Sequence, residues 1–116
     1  SDDNTMGRLL VEDLEARGIT RMALSVKSWG NAPTDCVVMR RCDMEFDGID
    51  DPALPAWFEN RPTDQWPVFP VWGMYFRNVK KVDVQDVKLS VKGKEYRKAW
   101  MVDNVKKHNL NVVDVR

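Results

Sequence analysis

The sequence has no excess of either charge, because 18 Lys and Arg side chains balance 18 Asp and Glu over 116 residues. This balance argues against a nucleic acid or an anionic membrane as the main partner, since both attract basic proteins. No apolar run approaches the roughly 20 residues of a membrane span, and the first residues do not form a signal peptide. These absences predict one soluble domain over residues 1–116, with no membrane partner.

Histidine occurs once and cysteine twice, and neither shows the spacing of a metal site or a disulfide framework. Cys36 and Cys42 are six residues apart along one predicted bent strand, too far apart to bond, so we expect two free core or near-core thiols. His108 lies among lysines without a cysteine or acidic partner at ligand spacing, which favours a structural role. The sequence therefore predicts no metal and no cofactor.

What the sequence does contain is a recurring apolar pattern. Apolar residues occupy every second position, two positions are then skipped, and the alternation resumes. Alternation is typical of a strand with one buried face, and the skipped pair predicts a bend. The first two copies start 28 residues apart, the length of one solenoid coil. We therefore predict an all-β solenoid of about four coils. The copies are Leu9, Val11, Leu14, Ala16; Val37, Met39, Cys42, Met44, Phe46; and Val82, Val84, Val87, Leu89, Val91.

A second repeat indicates a further copy near the C-terminus, because the Asn-Val-Lys-Lys run that begins at Asn78 returns at Asn104. This 26-residue offset places His108, Leu110, Val113 and Val115 at the positions of Val82, Val84, Val87 and Leu89. An offset of 28 would instead match Leu110, Val112 and Val115 to Val82, Val84 and Val87. Between the second and third copies the spacing grows to 45 residues, which predicts an insertion around Asp50 to Val71.

The segment from Leu9 to Arg17 also fits an amphipathic helix, in which Leu10, Leu14 and Arg17 are spaced by three and four. That alternative would make the chain an α+β domain. The same segment matches the strand pattern that occurs twice more downstream, and Gly18 follows where a turn is expected. The repeat therefore favours a strand here.

The run from Pro70 to Lys88, followed by Tyr96-Arg97-Lys98-Ala99 and Asp103-Asn104-Val105, resembles the C-terminal coils of family 28 glycoside hydrolases. These are polygalacturonase-like, pectin-degrading enzymes with a right-handed parallel β-helix fold. The resemblance extends roughly from Gly7 to Arg116. It implies a right-handed parallel β-helix, a pectic oligo- or polysaccharide as partner, and a periplasmic or secreted location.

The catalytic motifs of that family, Asn-Thr-Asp, Gly-Asp-Asp, Gly-His-Gly and Arg-Ile-Lys, do not occur in this sequence. The resemblance therefore implies the C-terminal portion of a longer hydrolase, with no catalytic residue in this chain. The alternative is a non-catalytic carbohydrate-binding or structural β-helix module. A β-helix without covered ends would also be expected to associate end to end with a second copy.

An acidic group at the start of the insertion, Asp47, Asp50 and Asp51, is the nearest candidate for general acid–base chemistry or calcium binding. An inverting hydrolase needs two carboxyl groups roughly 6.5 to 9.5 Å apart. Asp and Gly are also the residues that turns use, and Pro52 follows directly. We therefore expect a solvated turn.

The insertion concentrates aromatic residues and prolines, and it is the best candidate for a binding site. Aromatic faces stack on sugar rings, and an arginine can pair with a uronate carboxylate. The alternative is that a long loop packs its aromatic side chains onto the solenoid wall. The candidate carbohydrate-binding residues are Trp57, Arg61, Trp66, Trp72 and Arg77.

Overall fold

The computed structural model describes residues 7–20, 24–27, 34–59 and 69–115. Within these ranges the chain is all-β apart from one short helix, and the strands form a single curled sheet in which every pairing is parallel. No helix in the described ranges has the length and apolar character needed to cross a bilayer. The elements are β1 (Arg8–Glu12), β2 (Glu15–Ile19), β3 (Leu24–Lys27), β4 (Thr34–Asp47), α1 (Leu54–Glu59), β5 (Val71–Lys92) and β6 (Lys98–Val115).

The apolar repeat corresponds directly to the sheet register. Val37 of β4 pairs with Leu9 of β1 on one side and with Val82 of β5 on the other. The match continues along the strands, and the 45-residue offset between β4 and β5 holds from Cys36 to Asp47. Successive copies therefore lie side by side in chain order, and the strand interpretation of Leu9 to Arg17 is confirmed by β1 and β2.

The skipped pairs form a corner in the sheet. The second residue of each pair, Asp13, Arg41 and Asp86, has a positive φ between 55° and 57°. This left-handed conformation turns the strand so that alternation resumes on the same face. Gly18 has a similar left-handed conformation, with a φ of 68°, and β2 continues through it to Ile19 with a register shift instead of ending in the expected turn.

The last strand departs from the expected register. His108 pairs with Val82 and Leu110 with Val84, as the 26-residue offset predicts. Beyond the corner, however, Val112 pairs with Val87, and Asp114 pairs with Leu89. The expected placement of Val113 and Val115 is therefore wrong, because β6 passes the corner with one skipped residue, Asn111, where β4 and β5 skip two.

A second set of strands lies beyond a further corner. β3 and the first part of β6 flank the first part of β5, with Leu24 and Trp100 both paired to Met74. At this corner Asn78 and Asn104 have positive φ, and the Asn104 amide donates to Asn78 Oδ1 at 2.7 Å. This side of the sheet is thus formed by β3 and by the first parts of β5 and β6.

The core lies between the two sets of strands and contains every inward position of the second and third copies of the repeat, with Val11, Leu14 and Ala16 of the first copy packed against it. Trp100 packs against this core. Cys36 and Cys42 are free thiols and both are buried. The buried cluster comprises Val37, Met39, Cys42, Met44, Phe46, Trp72, Met74, Phe76, Val79, Val82, Val84, Val87, Leu89, Val91 and Ala99.

The insertion is not purely irregular, because it contains the six-residue helix α1. Asp51 starts this helix: its side chain accepts a hydrogen bond from the Ala53 N–H at 3.0 Å, and its carbonyl accepts one from Leu54. Acceptors at a helix start satisfy N–H groups that have no partner within the helix. The acidic turn is thus used to begin α1.

Candidate functional site

A buried ion pair lies in the loop between β5 and β6. Glu95 and Arg97 are 8% and 4% exposed, and their side chains form a bidentate pair with distances of 2.8 Å (Nε to Oε2) and 2.5 Å (Nη2 to Oε1). Burial alone would raise the pKa of Glu95. Hydrogen bonds from the Arg97 side chain and from the backbone N–H groups of Arg97 and Ile49 outweigh burial, so this pKa lies below its usual value.

The Glu95–Arg97 pair ties both ends of the insertion to this loop. The Ile49 N–H, at the start of the insertion, donates to Glu95 Oε1 at 3.2 Å. At its end, Arg97 Nη1 donates to the carbonyls of Phe69 (2.8 Å) and Val71 (3.2 Å). The pair therefore fixes where the insertion leaves and rejoins the sheet.

Close backbone contact reinforces this junction. The Gly48 N–H donates to the Lys92 carbonyl at 2.9 Å. A Cβ at Gly48 would overlap the Lys94 carbonyl oxygen, so only glycine allows the chain to pass this close. The loop of residues 93–97 is thus held against the first residues of the insertion.

A cleft opens between α1 and this loop. Its volume is about 320 Å³, and both apolar and charged side chains line it. Tyr96 is 40% exposed, one of the few large hydrophobic side chains of the described residues that face solvent. We call this cavity the α1 cleft; its lining is Pro55, Phe58, Glu59, Pro70, Tyr96, Arg97, Lys98 and Met101.

The charges of the α1 cleft differ in availability. Arg97 is engaged with Glu95, whereas Glu59 and Lys98 are exposed. Loss of solvation, followed by the nearby Asp50 carboxylate, raises the pKa of Tyr96, and the same carboxylate is its hydrogen-bond partner. Tyr96 therefore stays a neutral phenol at physiological pH. The cleft offers apolar and aromatic surface, one exposed carboxylate and one exposed ammonium group.

None of the three sequence-predicted site residues that the structure describes, Trp57, Trp72 and Arg77, lines this cleft. Trp57 lies on α1, half-buried, with its ring edge to face against Phe58 at 4.9 Å between centroids. Trp72 is only 2% exposed and packs edge to face on Phe46 in the core. Because Trp72 is buried, its ring cannot stack on a sugar. Its position agrees with the alternative that aromatic side chains of the insertion pack onto the wall of the sheet. Arg61 and Trp66 lie outside the described residues.

Arg77 lies on the outer face of β5, away from the core. Its Nε is 3.6 Å from a carboxylate oxygen of Asp103, and Tyr75 is fully buried beside this pair. Burial, and then the Asp103 carboxylate, raises the pKa of Tyr75. Arg77 is thus already paired within the sheet.

Within the described part of the chain, neither the acidic group nor any other set of three or more His, Cys, Asp or Glu is arranged so that it could hold a metal ion. Asp51 begins α1, Asp50 faces Tyr96, and Asp47 ends β4. The expectation of a turn agrees with these placements. His108, the other residue considered as a ligand, lies exposed on β6.

The insertion's side of the cleft, with Pro55, Phe58 and Pro70, belongs to the segment that the sequence indicates as a binding candidate. On the loop side, Tyr96, Arg97 and Lys98 enter the sequence predictions only through the family resemblance, and Glu95 does not enter them. The available signal was an acidic and a basic residue, Glu95 and Arg97, two positions apart after a Lys-Gly-Lys turn. That signal is weak, because most such pairs lie exposed on the surface.

No family model, no curated protein and no solved structure matches this chain.

Proposed function

We propose that this chain binds a pectic oligosaccharide in the α1 cleft, as the C-terminal β-helix portion of a polygalacturonase-like glycoside hydrolase, and that it carries no catalytic residue of its own. The observation that supports this most is the cleft itself, in which Tyr96 is exposed beside Lys98. An aromatic ring and a cation together suit a sugar that carries a carboxylate. The location that goes with this proposal is periplasmic or secreted.

The size and lining of the cleft support a small ligand. A volume of about 320 Å³ is at the lower end of the range for small-molecule sites, roughly 300 to 1,000 Å³. Phe58 and Met101 supply apolar surface, and Glu59 can accept hydrogen bonds from sugar hydroxyls. A short stretch of polysaccharide, not an extended chain, is the ligand that this site suits.

The finer fold belongs to the same proposal. The strands are parallel and follow one another in chain order, and two sets of them face a common core. We propose that this curled sheet is part of a right-handed parallel β-helix. The left-handed corner residues support this, because they turn each strand at the same place in successive copies.

Titration with tri-galacturonate, followed by backbone amide NMR, tests the binding proposal. We expect resonances of Tyr96, Lys98 and Met101 to shift. Lys98→Ala should weaken binding of the uronate about tenfold, the effect of losing an interaction of about 1.4 kcal/mol. Lys88→Ala, which removes an exposed lysine from β5, is the matched control and should bind like wild type.

Three results would overturn the proposal in different ways. Absence of shifts at millimolar tri-galacturonate would exclude the cleft as a pectin site and leave the structural-module alternative. An equal loss in Lys98→Ala for a neutral galactose oligomer would exclude carboxylate pairing. Release of reducing ends from polygalacturonate by this chain would contradict the absence of catalytic residues.

A further inference from the structure

Four lysines form a two-by-two array on the outer face of the sheet, where the Asn-Val-Lys-Lys run occurs on both β5 and β6. Lys81 is in register with Lys107, and the valines two positions before them are also paired. Three of the lysines are exposed, and the side chain of the fourth, Lys80, is 43% exposed. We call this array the lysine quartet; its members are Lys80, Lys81, Lys106 and Lys107.

The lysine quartet does not depend on a free edge of the sheet. Its side chains extend from the outer face, since Val79 and Val82 on either side of the β5 pair are buried in the core. A strand added to an edge pairs through backbone groups in the plane of the sheet. The quartet would therefore stay exposed if further strands lay beside β1 or β6.

Elsewhere in the described strands, charged residues in register either have opposite signs or have an opposite charge beside them. Glu15 faces Asp43, for example, and Arg17 lies 3.6 Å from the first carboxylate and 3.2 Å from the second. Opposite charges across neighbouring strands stabilise a sheet. The complementary pairs in register include Glu12 with Arg40, Asp43 with Lys88, Asp47 with Lys92 and Arg77 with Asp103.

The lysine quartet breaks this rule. Lys80 lies 3.3 Å from a carboxylate oxygen of Asp35, but within the described part of the chain no carboxylate pairs with Lys81, Lys106 or Lys107. Like charges directly across neighbouring strands lower the stability of a sheet. An arrangement that lowers stability, and that the sequence contains twice, is typical of a surface that binds a ligand.

We propose that the lysine quartet binds a linear acidic polysaccharide, with the sugar chain running across β5 and β6. Neighbouring strands are about 4.8 Å apart, so each strand presents two ammonium groups to carboxylates on successive parts of the chain. The class of ligand rests on the proposed function, whereas the site is separate from the α1 cleft. The cleft would hold a short stretch of the polysaccharide, and the quartet would add affinity for longer, unesterified chains.

The composition of the quartet disfavours a nucleic acid as its ligand. Proteins that bind single strands stack the bases on aromatic side chains. Among the described residues the exposed Phe, Tyr or Trp is Tyr96, which lies in the α1 cleft. Arginine, which binds phosphate through two parallel hydrogen bonds, does not occur in the quartet. Lysines alone suit the single charge of a carboxylate.

Isothermal titration calorimetry of the full chain with unesterified polygalacturonate, at about 20 and about 200 mM NaCl, tests the proposal. We expect binding that weakens with salt. Lys81→Gln combined with Lys107→Gln should weaken it about tenfold at the lower salt concentration. The matched control is Lys88→Gln combined with Lys92→Gln, which removes the same charge from the same face. It should bind like wild type, because each of these lysines already faces an aspartate.

A single charge reversal separates a binding role from a structural one. Lys107→Glu places a carboxylate opposite Lys81, so we expect the Tm to rise by about 1 to 4 °C while the affinity for polygalacturonate falls. A lysine that serves only the fold would not show these two changes in opposite directions. A lower Tm in Lys107→Glu would overturn the argument that the quartet lowers stability.

Three other results would overturn the proposal. Equal losses in the quartet and control variants would show that any positive charge on the outer face suffices. Equal binding of fully methyl-esterified polygalacturonate would exclude recognition of carboxylates. Tighter binding of an oligothymidylate of about 20 nucleotides, at the same salt concentration, would assign the quartet to nucleic acid.

The two binding proposals fail in different ways. If tri-galacturonate shifts no resonance of the α1 cleft but polygalacturonate still binds through the quartet, the cleft proposal alone is refuted. If the cleft resonances shift and the quartet variant binds polygalacturonate as tightly as wild type, the quartet proposal alone is refuted.

Discussion

Replacing Arg97 by methionine removes the cation of the Glu95–Arg97 pair while keeping a side chain of similar length. Glu95 would then be a buried carboxylate without its partner, and the carbonyls of Phe69 and Val71 would lose a donor. Breaking a buried pair from one side costs about 3–5 kcal/mol. For a chain of 116 residues this corresponds to a decrease in Tm of about 12 to 20 °C.

Urea unfolding followed by circular dichroism measures this loss directly, with Arg97→Met compared to Arg17→Met. Arg17 makes the same kind of contact, to Asp43 at 3.2 Å, but its side chain is 48% exposed. Exposed pairs contribute about 0–1 kcal/mol, so Arg17→Met should remain close to wild type. If Arg97→Met lost less than about 1 kcal/mol, the reasoning that this pair anchors the insertion would be refuted.

Two further results are expected. Gly73→Ala should destabilise the chain by about 1–3 kcal/mol in urea, because its Cβ would lie 2.5 Å from the Ala99 carbonyl oxygen; an unchanged free energy of unfolding would contradict the packing described. Because the pKa of Glu95 is lower in the folded state, its stabilising contribution is present above pH 4.5 and decreases as the pH falls below that value. Glu95→Gln should reduce this dependence in a pH series of unfolding curves, and an unchanged acid dependence would assign it to other carboxyl groups.

The part of the fold that could be predicted is the part built from the repeat. Two-residue periodicity reports directly which side chains face the core, and equal spacing reports which strands are neighbours. For this reason Val37, Met39 and Cys42 were assigned correctly to inward positions beside Val82, Val84 and Val87. The bend also followed from the pattern, since only a turned backbone explains a skipped pair.

The insertion and the site beside it could not be predicted in this way. Its arrangement depends on hydrogen bonds between residues far apart in sequence, such as Ile49 with Glu95 and Phe69 with Arg97. No periodicity encodes such contacts. The same limit of sequence patterns explains the prediction for Trp72. It is the second residue of β5, but the pattern groups it with the aromatic residues of the loop before that strand.

Because β6 skips only one residue at its corner, its last residues have two possible pairing registers with β5, one residue apart. In the observed register Val112 and Asp114 point inward, and Val113 and Val115 point outward. Skipping one more residue would exchange the two sets and turn a polar edge into an apolar one. In one register, the last residues of β6 thus end the sheet with polar inward side chains. In the other register, they would present an apolar surface on which the sheet could continue.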